Sequence, residues 1–391
     1  MNDVSVSPKP VTLGADAKNG GERKLPRRDW ILLPILGLLT ICVIAVFTEL
    51  IARRMFPEPK SSMRNCLIEN DSSTGVRGIP NSVCSEDSYE SGPVEYRFNG
   101  CGHRAGMECG PKPPGVYRIV MVGTSTAFGT HLPREKTLAA LLPAELSRRT
   151  GRNIELYNEA LTWETPRAVA LRFNAVLAAN PDMILWIVTP WDIKNAPSLL
   201  LPPPASSSPG FLASVRVHIK NSATRILLEV FLYRSASSYL RLHRRDFRDP
   251  EFLGATLSAE WQGHLRDYDT YAANIEGQAS AAGIPLVAVL VPERAQAAMI
   301  SMGEWPAGYN PYKLDDELRP LITRHGGTYI DILPGFRDIP NPEQYYYPVD
   351  GHPNADGNRI ISGLLANVLT GGAVPALQVA EQPKTAQEQG R

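Results

Sequence analysis

The chain has 391 residues, of which 43% are hydrophobic and 20% charged, and its 40 Lys and Arg residues balance 40 Asp and Glu residues. This length and apolar content suit one large or two ordinary folded domains, and they exclude a mainly disordered chain or a coiled coil. The zero net charge argues against a dedicated nucleic-acid-binding protein, which normally carries a basic excess.

The first predicted element is a membrane anchor. Residues 30–48 contain no charged side chain, and a helix of this length spans roughly 28 Å, close to the thickness of the hydrocarbon core. We predict a single transmembrane anchor over residues 30–52, preceded by a disordered cytoplasmic tail over residues 1–29. A cleaved signal peptide is the alternative, but the apolar run is long and no small-residue cleavage site follows it.

Basic residues and cysteines indicate the orientation. More Lys and Arg residues precede the apolar stretch than closely follow it, which favours a cytoplasmic N-terminus.

The cysteines indicate the compartment. Cys42 lies within the apolar stretch. The other four cysteines lie in a turn-rich segment, residues 53–113, which we expect to be an irregular cap; they are Cys66, Cys84, Cys101 and Cys109. Two disulfides are expected among them, with three pairings open, in an oxidising compartment such as a bacterial periplasm. A zinc site is the alternative, but no Cys-x-x-Cys pair is present and His103 is the one nearby histidine.

From residue 114 onwards, buried strands alternate with amphipathic helices, as in βα units. Strands are predicted over 117–122, 154–157, 183–188, 285–291 and 328–332, and helices over 137–149, 166–179, 258–282, 313–325 and 355–369. This pattern predicts an α/β fold, a three-layer sandwich with a five-stranded parallel sheet over residues 114–370. Ligands bind such sheets at the carboxyl ends of the strands. Residues 371–391 are expected to be a disordered tail.

A helical insertion is predicted over residues 196–258. Its centre, residues 211–245, has an apolar stripe at helical spacing and is strongly basic, with Glu229 as its one acidic residue. Such a helix could lie on the surface of a bilayer. Packing as a cap over the functional site is the alternative and the commoner meaning of this spacing.

Two segments carry the candidate chemistry. Gly123–Gly129 directly follows the first predicted strand and contains Ser125, and Asp350-Gly351-His352 precedes the last helix. An aspartate two residues before a histidine can fix the tautomer of the imidazole, while the other ring nitrogen takes a proton from a serine. Nucleophile, base and orienting carboxylate are the groups that acyl transfer requires.

The order of these segments resembles the SGNH (GDSL-type) hydrolase superfamily. The resemblance rests on a Gly-x-Ser-x-x-x-Gly block after the first strand and a late Asp-x-His-Pro-Asn-x-x-Gly block, residues 350–357, and it covers residues 95–370. It implies a flavodoxin-like sandwich, cleavage or transfer of ester-linked acyl groups, and the roles of nucleophile for Ser125, base for His352 and orienter for Asp350. The anchored, extracytoplasmic setting also resembles relatives that acetylate or deacetylate envelope and exported polysaccharides.

Three positions depart from the family pattern. Thr124 replaces the aspartate of the family's first block. Trp163 replaces a glycine whose main-chain N–H serves the oxyanion hole, and Trp191 replaces an asparagine whose side chain serves the same hole. The main-chain N–H of Trp163 can still donate, and Asn158 or Asn195 is a candidate substitute for the missing side chain.

The aromatic residues near these positions have two interpretations. Trp163 and Trp191, extended by Tyr345–Tyr347, could stack on a sugar ring or enclose a small acyl pocket. Packing at the ends of the strands is the alternative, because buried aromatic residues usually belong to the core.

Three functions remain open at this point. The first is an esterase or O-acyltransferase that acts on acyl, most simply acetyl, esters of an envelope or exported glycan. The second is a carbohydrate-binding or assembly protein with weakened catalysis, and the third is a phosphate or flavin site at Gly123–Gly129, which lacks a P-loop lysine. We expect no cofactor and no nucleic-acid partner. We also expect no metal, because the remaining histidines are not expected to form a metal cluster with carboxylates; they are His131, His218, His243, His264 and His325. The expected partners are an acylated glycan or small ester and the membrane, through residues 30–52 and also the basic helix 211–245.

Overall fold

The computed structural model describes residues 26–71, 75–198, 222–233, 235, 238–241 and 250–378. The chain divides into two units, one that ends at Ile51 and one that begins at Ala52. Residues 1–25 of the predicted tail lie outside the described residues, and a helix already begins at Arg27.

Helix α1 (Arg27–Met55) contains the predicted anchor. Its 29 residues, at a rise of 1.5 Å each, give roughly 43 Å, which exceeds the hydrocarbon thickness of about 30 Å. Large apolar side chains are exposed along it from Trp30 to Met55. Within the described ranges, α1 is the one helix long and apolar enough to cross a membrane, in agreement with the predicted anchor.

The segment predicted as an irregular cap forms two small antiparallel sheets. One sheet contains β1 (Lys60–Ser61), β4 (Val83–Ser88) and β5 (Gly92–Arg97), and the other contains β2 (Leu67–Asp71) and β3 (Gly75–Gly78). The expectation of irregular structure was therefore wrong. Alternate residues of β4 and β5 are buried, but these strands are short and rich in polar residues, which conceals the alternation in the sequence.

Two disulfides tie this segment together. Cys66 is bonded to Cys84, and Cys101 is bonded to Cys109. The first joins the residue that precedes β2 to β4, and the second closes a loop after β5. This arrangement selects one of the three pairings that the sequence left open, while Cys42 is a free, exposed cysteine.

The main sheet is parallel and has five strands: β6 (Val116–Gly123), β7 (Asn153–Asn158), β8 (Met183–Val188), β9 (Leu286–Leu290) and β10 (Thr328–Ile330). Their order across the sheet is β10-β9-β8-β6-β7. Numbered within the sheet, this is the flavodoxin-like order 2-1-3-4-5. The central strands β8 and β9 are buried along their whole length, which is why they appear in the sequence as continuous apolar runs. The predicted α/β fold is confirmed.

Helices cover both faces of this sheet. The helices after the five strands include α3 (Leu138–Thr150), α4 (Pro166–Ala178), α7 (Ala259–Ala281), α9 (Lys313–Arg324) and α10 (Ala355–Val368). Helices α3 and α10 pack together on one face, whereas α7 packs against α4 and α9 on the other. Two short helices precede α7: α5 (Pro190–Lys194) after β8 and α6 (Ala223–Leu232) in the insertion. Helix α8 (Arg294–Met302), which follows β9, was not predicted.

Two boundary predictions need adjustment. The centre of the insertion is described only in part, and there α6 exposes Leu228 and Phe231 while it buries Ala223. The chain does not leave the folded domain at residue 371, because Val374 and Leu377 are buried in the core; their apolar side chains extend the packing of α10. Residues 379–391 lie outside the described residues.

Candidate active site

The first candidate residue, Ser125, lies where the strand order of the sheet reverses. Strand β6 pairs with β7 on one side and with β8 on the other, and the loops that leave its carboxyl end diverge to open a crevice. Ser125 begins helix α2 (Ser125–Phe128) at this point. Gly123, at the end of β6, has a φ of 144°, and a Cβ there would lie 2.5 Å from the carbonyl oxygen of Ile187. Only glycine permits this turn towards Ser125.

The second candidate segment is the loop that precedes α10. Gly351 adopts a φ of 91°, so that the chain turns tightly between Asp350 and His352. The carbonyl oxygen of His352 accepts the N–H of Tyr347 at 2.9 Å. Asn354 then caps α10, because its Oδ1 accepts the N–H groups of Asp356 and Gly357, each at 3.0 Å.

The structure brings Ser125, His352 and Asp350 together. Ser125 Oγ lies 2.7 Å from His352 Nε2, although the two residues are 227 positions apart in the sequence. His352 Nδ1 lies 2.5 Å from Asp350 Oδ1. With Asp350 ionised, Nδ1–H donates to the carboxylate and Nε2 accepts the serine hydroxyl, which is the geometry of nucleophile, base and orienter.

Asp350 is held in its ionised form. Burial alone would raise its pKa, but the charge on His352 and hydrogen bonds from both His131 and His352 hold the pKa well below its usual range. Glu90 fixes the backbone at this position, since its two carboxylate oxygens accept the N–H groups of Val349 and Asp350, each at 2.8 Å. The carboxylate therefore has a fixed position and a permanent charge near neutral pH.

His131 belongs to this cluster, contrary to the prediction that it forms no metal-type cluster with carboxylates. Its Nε2 lies 3.1 Å from Asp350 Oδ2, and its Nδ1 lies 3.2 Å from Glu86 Oε2. Burial alone would lower the pKa of His131, but hydrogen bonds to Asp350 and Glu86 raise it to about 10. One signal was present in the sequence, because His131 follows the serine block closely. Its carboxylate partner Glu86 comes from strand β4, whose pairing the sequence did not reveal.

The cluster also has the spacing of a metal site. His131, Asp350 and His352 offer atoms that lie within 4.8 Å of one another. Each imidazole, however, contacts a different oxygen of Asp350 directly, at 2.5 and 3.1 Å. The remaining nitrogen of His352 faces Ser125 at 2.7 Å. These are hydrogen-bond distances within a chain of proton donors and acceptors, and they fit proton transfer better than they fit metal ligation.

A cavity of about 690 Å³ opens at Ser125 and His352. Aromatic side chains form much of its lining; they are Tyr89, Trp163, Trp191, Tyr233, Tyr239 and Tyr346. Two of the predicted aromatic residues, Trp163 and Trp191, thus lie at the cavity. Of the three consecutive tyrosines, Tyr346 lines it, whereas Tyr347 donates its hydroxyl to the carbonyl oxygen of His131 at 2.9 Å.

Trp163 adopts a backbone conformation that usually requires glycine. Its φ is 62°, in the left-handed region that costs a side-chain-bearing residue about 1 kcal/mol or more. The turn is held by buried charges on either side of it. The Arg172 guanidinium pairs with Glu164, and its Nη1 lies 3.2 Å from Glu159 Oε2. These pairs fix both ends of the loop that carries Trp163.

Asn158 does not line the cavity. Its buried side-chain amide donates to the carbonyl oxygen of Ala127 at 3.1 Å, and its Oδ1 accepts the N–H of Ala160 at 3.1 Å. The predicted oxyanion role of Asn158 is corrected to a packing role, because both ends of its carboxamide bind backbone groups. Asn195 likewise donates to the carbonyl oxygen of Trp191, at 2.9 Å.

No protein-family model matches the chain, and no curated protein matches it. Solved structures do match. An acetyl-xylooligosaccharide esterase from Geobacillus stearmophilus is 12% identical with a TM-score of 0.38, over 67% of this chain and 96% of that chain. A lipase/acylhydrolase from Enterococcus faecalis is 12% identical with a TM-score of 0.38, over 65% and 96%. An SGNH-hydrolase family esterase is 15% identical with a TM-score of 0.34, over 69% and 100%. The chemistry of this chain is argued from its own site.

Proposed function

We propose that the protein is a serine-dependent ester hydrolase or O-acyltransferase that acts on acyl, most simply acetyl, esters of an envelope or exported glycan. The observation that carries this proposal is the 2.7 Å contact between Ser125 Oγ and His352 Nε2. It lies at the carboxyl end of a central strand, beside an open cavity. Nucleophile and base meet where an ester carbonyl can reach both of them.

The proposed reaction follows from these positions. Ser125 Oγ attacks the carbonyl carbon while His352 Nε2 takes the hydroxyl proton, and Asp350 stabilises the imidazolium that forms. The tetrahedral intermediate collapses, the C–O bond to the leaving alcohol breaks, and His352 returns the proton to that alcohol. Water, or a sugar hydroxyl in a transferase, then attacks the acyl-serine in the same way and releases Ser125.

The developing oxyanion needs N–H donors. Ser125 begins α2, and the first N–H groups of a helix have no acceptor within it. Its main-chain N–H is therefore the first proposed donor. The second is the main-chain N–H of Trp163, whose left-handed φ of 62° suits the position where the family has glycine. Removing one such donor typically costs about 10²–10³ in turnover.

A carbohydrate-binding protein with weakened catalysis is the second candidate function. It is favoured by the two tryptophans of the cavity, Trp163 and Trp191, which stand where oxyanion-hole residues are expected and can stack on sugar rings. A fluorophosphonate probe separates the two functions, because it reacts only with an activated serine. The full-length chain in detergent is expected to become labelled at Ser125 and to hydrolyse a short-chain aryl ester. Absence of both would favour the binding protein.

Removing the indole of Trp163 is expected to broaden acyl-chain selectivity. In Trp163→Gly and in Trp163→Ala, the ratio of kcat/KM for an aryl butyrate over an aryl acetate should rise about tenfold, since butyrate is two methylenes longer and each buried methylene contributes about 0.8 kcal/mol. Steady-state rates with the two esters measure this ratio.

The two variants control for each other. Both variants remove the indole, but only glycine relieves the strain of the left-handed backbone. The free energy of unfolding of Trp163→Gly should therefore be about 1 kcal/mol higher than that of Trp163→Ala. An unchanged ester ratio in both variants would show that the indole does not limit the acyl pocket.

We propose that α1 anchors the chain in an inner membrane with a cytoplasmic N-terminus and that the second unit is periplasmic. The disulfides Cys66–Cys84 and Cys101–Cys109 support this location, because disulfides persist in oxidising compartments. The apolar side chains Leu228 and Phe231, exposed on α6, support a second contact with a membrane.

Peptide mapping of the protein from its native compartment tests this location. Without reduction, mass spectrometry is expected to find the two linked pairs, whereas Cys42 alone should react with a thiol reagent. Four alkylated cysteines in the segment 53–113 would contradict the periplasmic location.

A further inference from the structure

Asp350 serves two imidazoles rather than one. Its Oδ1 accepts from His352, and its Oδ2 lies 3.1 Å from His131 Nε2. The two rings meet edge to face, with centroids 5.8 Å apart. An orienting carboxylate that had only to hold the base would not require this second ring.

His131 is held by hydrogen bonds of its backbone, and its ring lies between two carboxylates. Its N–H donates to the hydroxyl of Tyr96 at 2.9 Å, and its carbonyl oxygen accepts the hydroxyl of Tyr347 at 2.9 Å. Its two ring nitrogens lie against Glu86 and Asp350. The residue also has a φ of 64°, a conformation that persists only when the surroundings impose it.

These surroundings come from the hairpin β4–β5. Glu86 lies on β4, Glu90 in the turn and Tyr96 on β5. The hydroxyl of Tyr96 also donates to Glu86 Oε2 at 2.7 Å. The hairpin is attached to the loop after α2 by Arg104, which packs over the Tyr96 ring and donates to the carbonyl oxygens of Phe128 and Gly129, each at 2.8 Å.

We propose that His131 and Glu86 form a positioning pair for the catalytic carboxylate, in which an imidazolium on the far side of Asp350 fixes that carboxylate and limits its attraction for the proton on His352. This inference rests on the proposed function. It assigns a positioning role to the hairpin β4–β5, which lies outside the α/β sandwich.

The electrostatic effect has a definite sign. The imidazolium of His131 repels a proton on His352 and offsets part of the charge of Asp350. Loss of the His131 charge is therefore expected to move the acid limb of the activity profile to higher pH. Glu86 opposes this effect, since its negative charge favours a proton on His352. Its influence is weaker because it contacts His131 rather than Asp350.

Other ionisable groups among the described residues also face the pair. On the side of the hairpin they are Glu90, Tyr96 and Arg104, and from the loop before α10 they are Tyr347, Asp350 and His352. Burial raises the pKa of Tyr347 to about 12 and also raises the pKa of Glu90. A change of His131 therefore alters the charge around Asp350 mainly through the imidazolium itself.

Two single substitutions are expected to shift the pH dependence in opposite directions. In His131→Gln, which keeps an N–H donor but no charge, the acid limb of the labelling-rate profile of Ser125 should move up by about one pH unit. In Glu86→Gln, His131 keeps its charge through Asp350, and the acid limb should move down by a smaller amount. The double variant, with the net charge of the wild type, should return towards the wild-type profile.

The profiles are measured on the full-length chain in detergent with a fluorophosphonate probe. His325→Gln is the matched control, because His325 forms the same kind of pair with Asp269, at 2.9 Å, outside the cavity lining. It should leave the profile unchanged. Shifts of His131→Gln and Glu86→Gln in the same direction, or no shift in either, would overturn the proposal, because a purely structural role predicts no opposite movement.

A second readout does not need activity. The pKa of His131 is raised from 6.5 to about 10, so its contribution to folding is complete below pH 6.5 and is lost as the pH rises to about 10. The difference in unfolding temperature between the wild type and His131→Gln should therefore shrink over this range. If the difference in unfolding temperature does not change with pH, the proposal of a charged His131–Glu86 pair is wrong. Absence of labelling together with a shrinking difference would instead contradict the proposed function and leave the pair in place.

Discussion

Ser125→Ala is expected to lower the hydrolysis of a short-chain aryl ester by about 10⁴-fold or more, because the acyl-serine can no longer form. In the proposed mechanism this hydroxyl forms the covalent bond, and its 2.7 Å contact with His352 would activate it. The small rate that remains would come from donors in the cavity acting on water. Initial rates on the full-length chain, with and without the substitution, measure the effect.

The control for this variant is Ser280→Ala, which removes an exposed serine of α7. It should retain the full rate and the fluorophosphonate label, whereas Ser125→Ala should lose both. Equal rates for the wild type and Ser125→Ala would assign the hydrolysis to another residue and contradict the proposed mechanism.

The α/β sandwich could be predicted because each of its elements carries a local signal. The buried strands β8 and β9 are continuous apolar runs, and the helices between the strands have helical periodicity. The positions of Ser125 and His352 followed from the same signals, since Ser125 comes just after a predicted strand and His352 just before the last predicted helix. The contact between Ser125 and His352 depends on the parallel sheet, and the alternation of strands and helices in the sequence already predicts that sheet.

The hairpin β4–β5 could not be predicted in the same way. Its alternation is masked by polar residues on both faces, and its function depends on pairing rather than on composition. Glu90 and Asp350, for example, are 260 residues apart, and nothing in either local sequence specifies their contact. The role of Asn158 was also invisible, because a buried amide that binds backbone groups and one that faces a ligand have the same sequence context.

His131 illustrates a further limit. The sequence places a histidine near the serine block, but its chemistry depends on two carboxylates that come from distant segments, Glu86 and Asp350. A histidine without such partners titrates near neutral pH, whereas this one is held protonated by both of them. The charge state of His131 is therefore determined by tertiary contacts, which its local sequence does not specify.

Asp350→Asn is expected to lower turnover by about 10⁴-fold, because it places the base in the wrong tautomer. The imidazolium of His131, 3.1 Å from the outer oxygen of Asp350, determines how the new amide lies. It would hold the amide oxygen on its own side and turn the amide N–H₂ towards His352 Nδ1. Nδ1 would then have to accept, and Nε2 would carry the proton and could not take one from Ser125.

On the plateau above the acid limb of the profile the loss should not change with pH, because the pKa of Asp350 lies well below its usual value and the carboxylate stays ionised there. Asp269→Asn is the matched control, since it removes the carboxylate from the His325 pair, and it should retain the wild-type rate. Steady-state kinetics at several pH values compare the variants. Retention of more than about a tenth of the turnover by Asp350→Asn would mean that Asp350 does not set the tautomer of the base, and that His352 is oriented by its backbone alone.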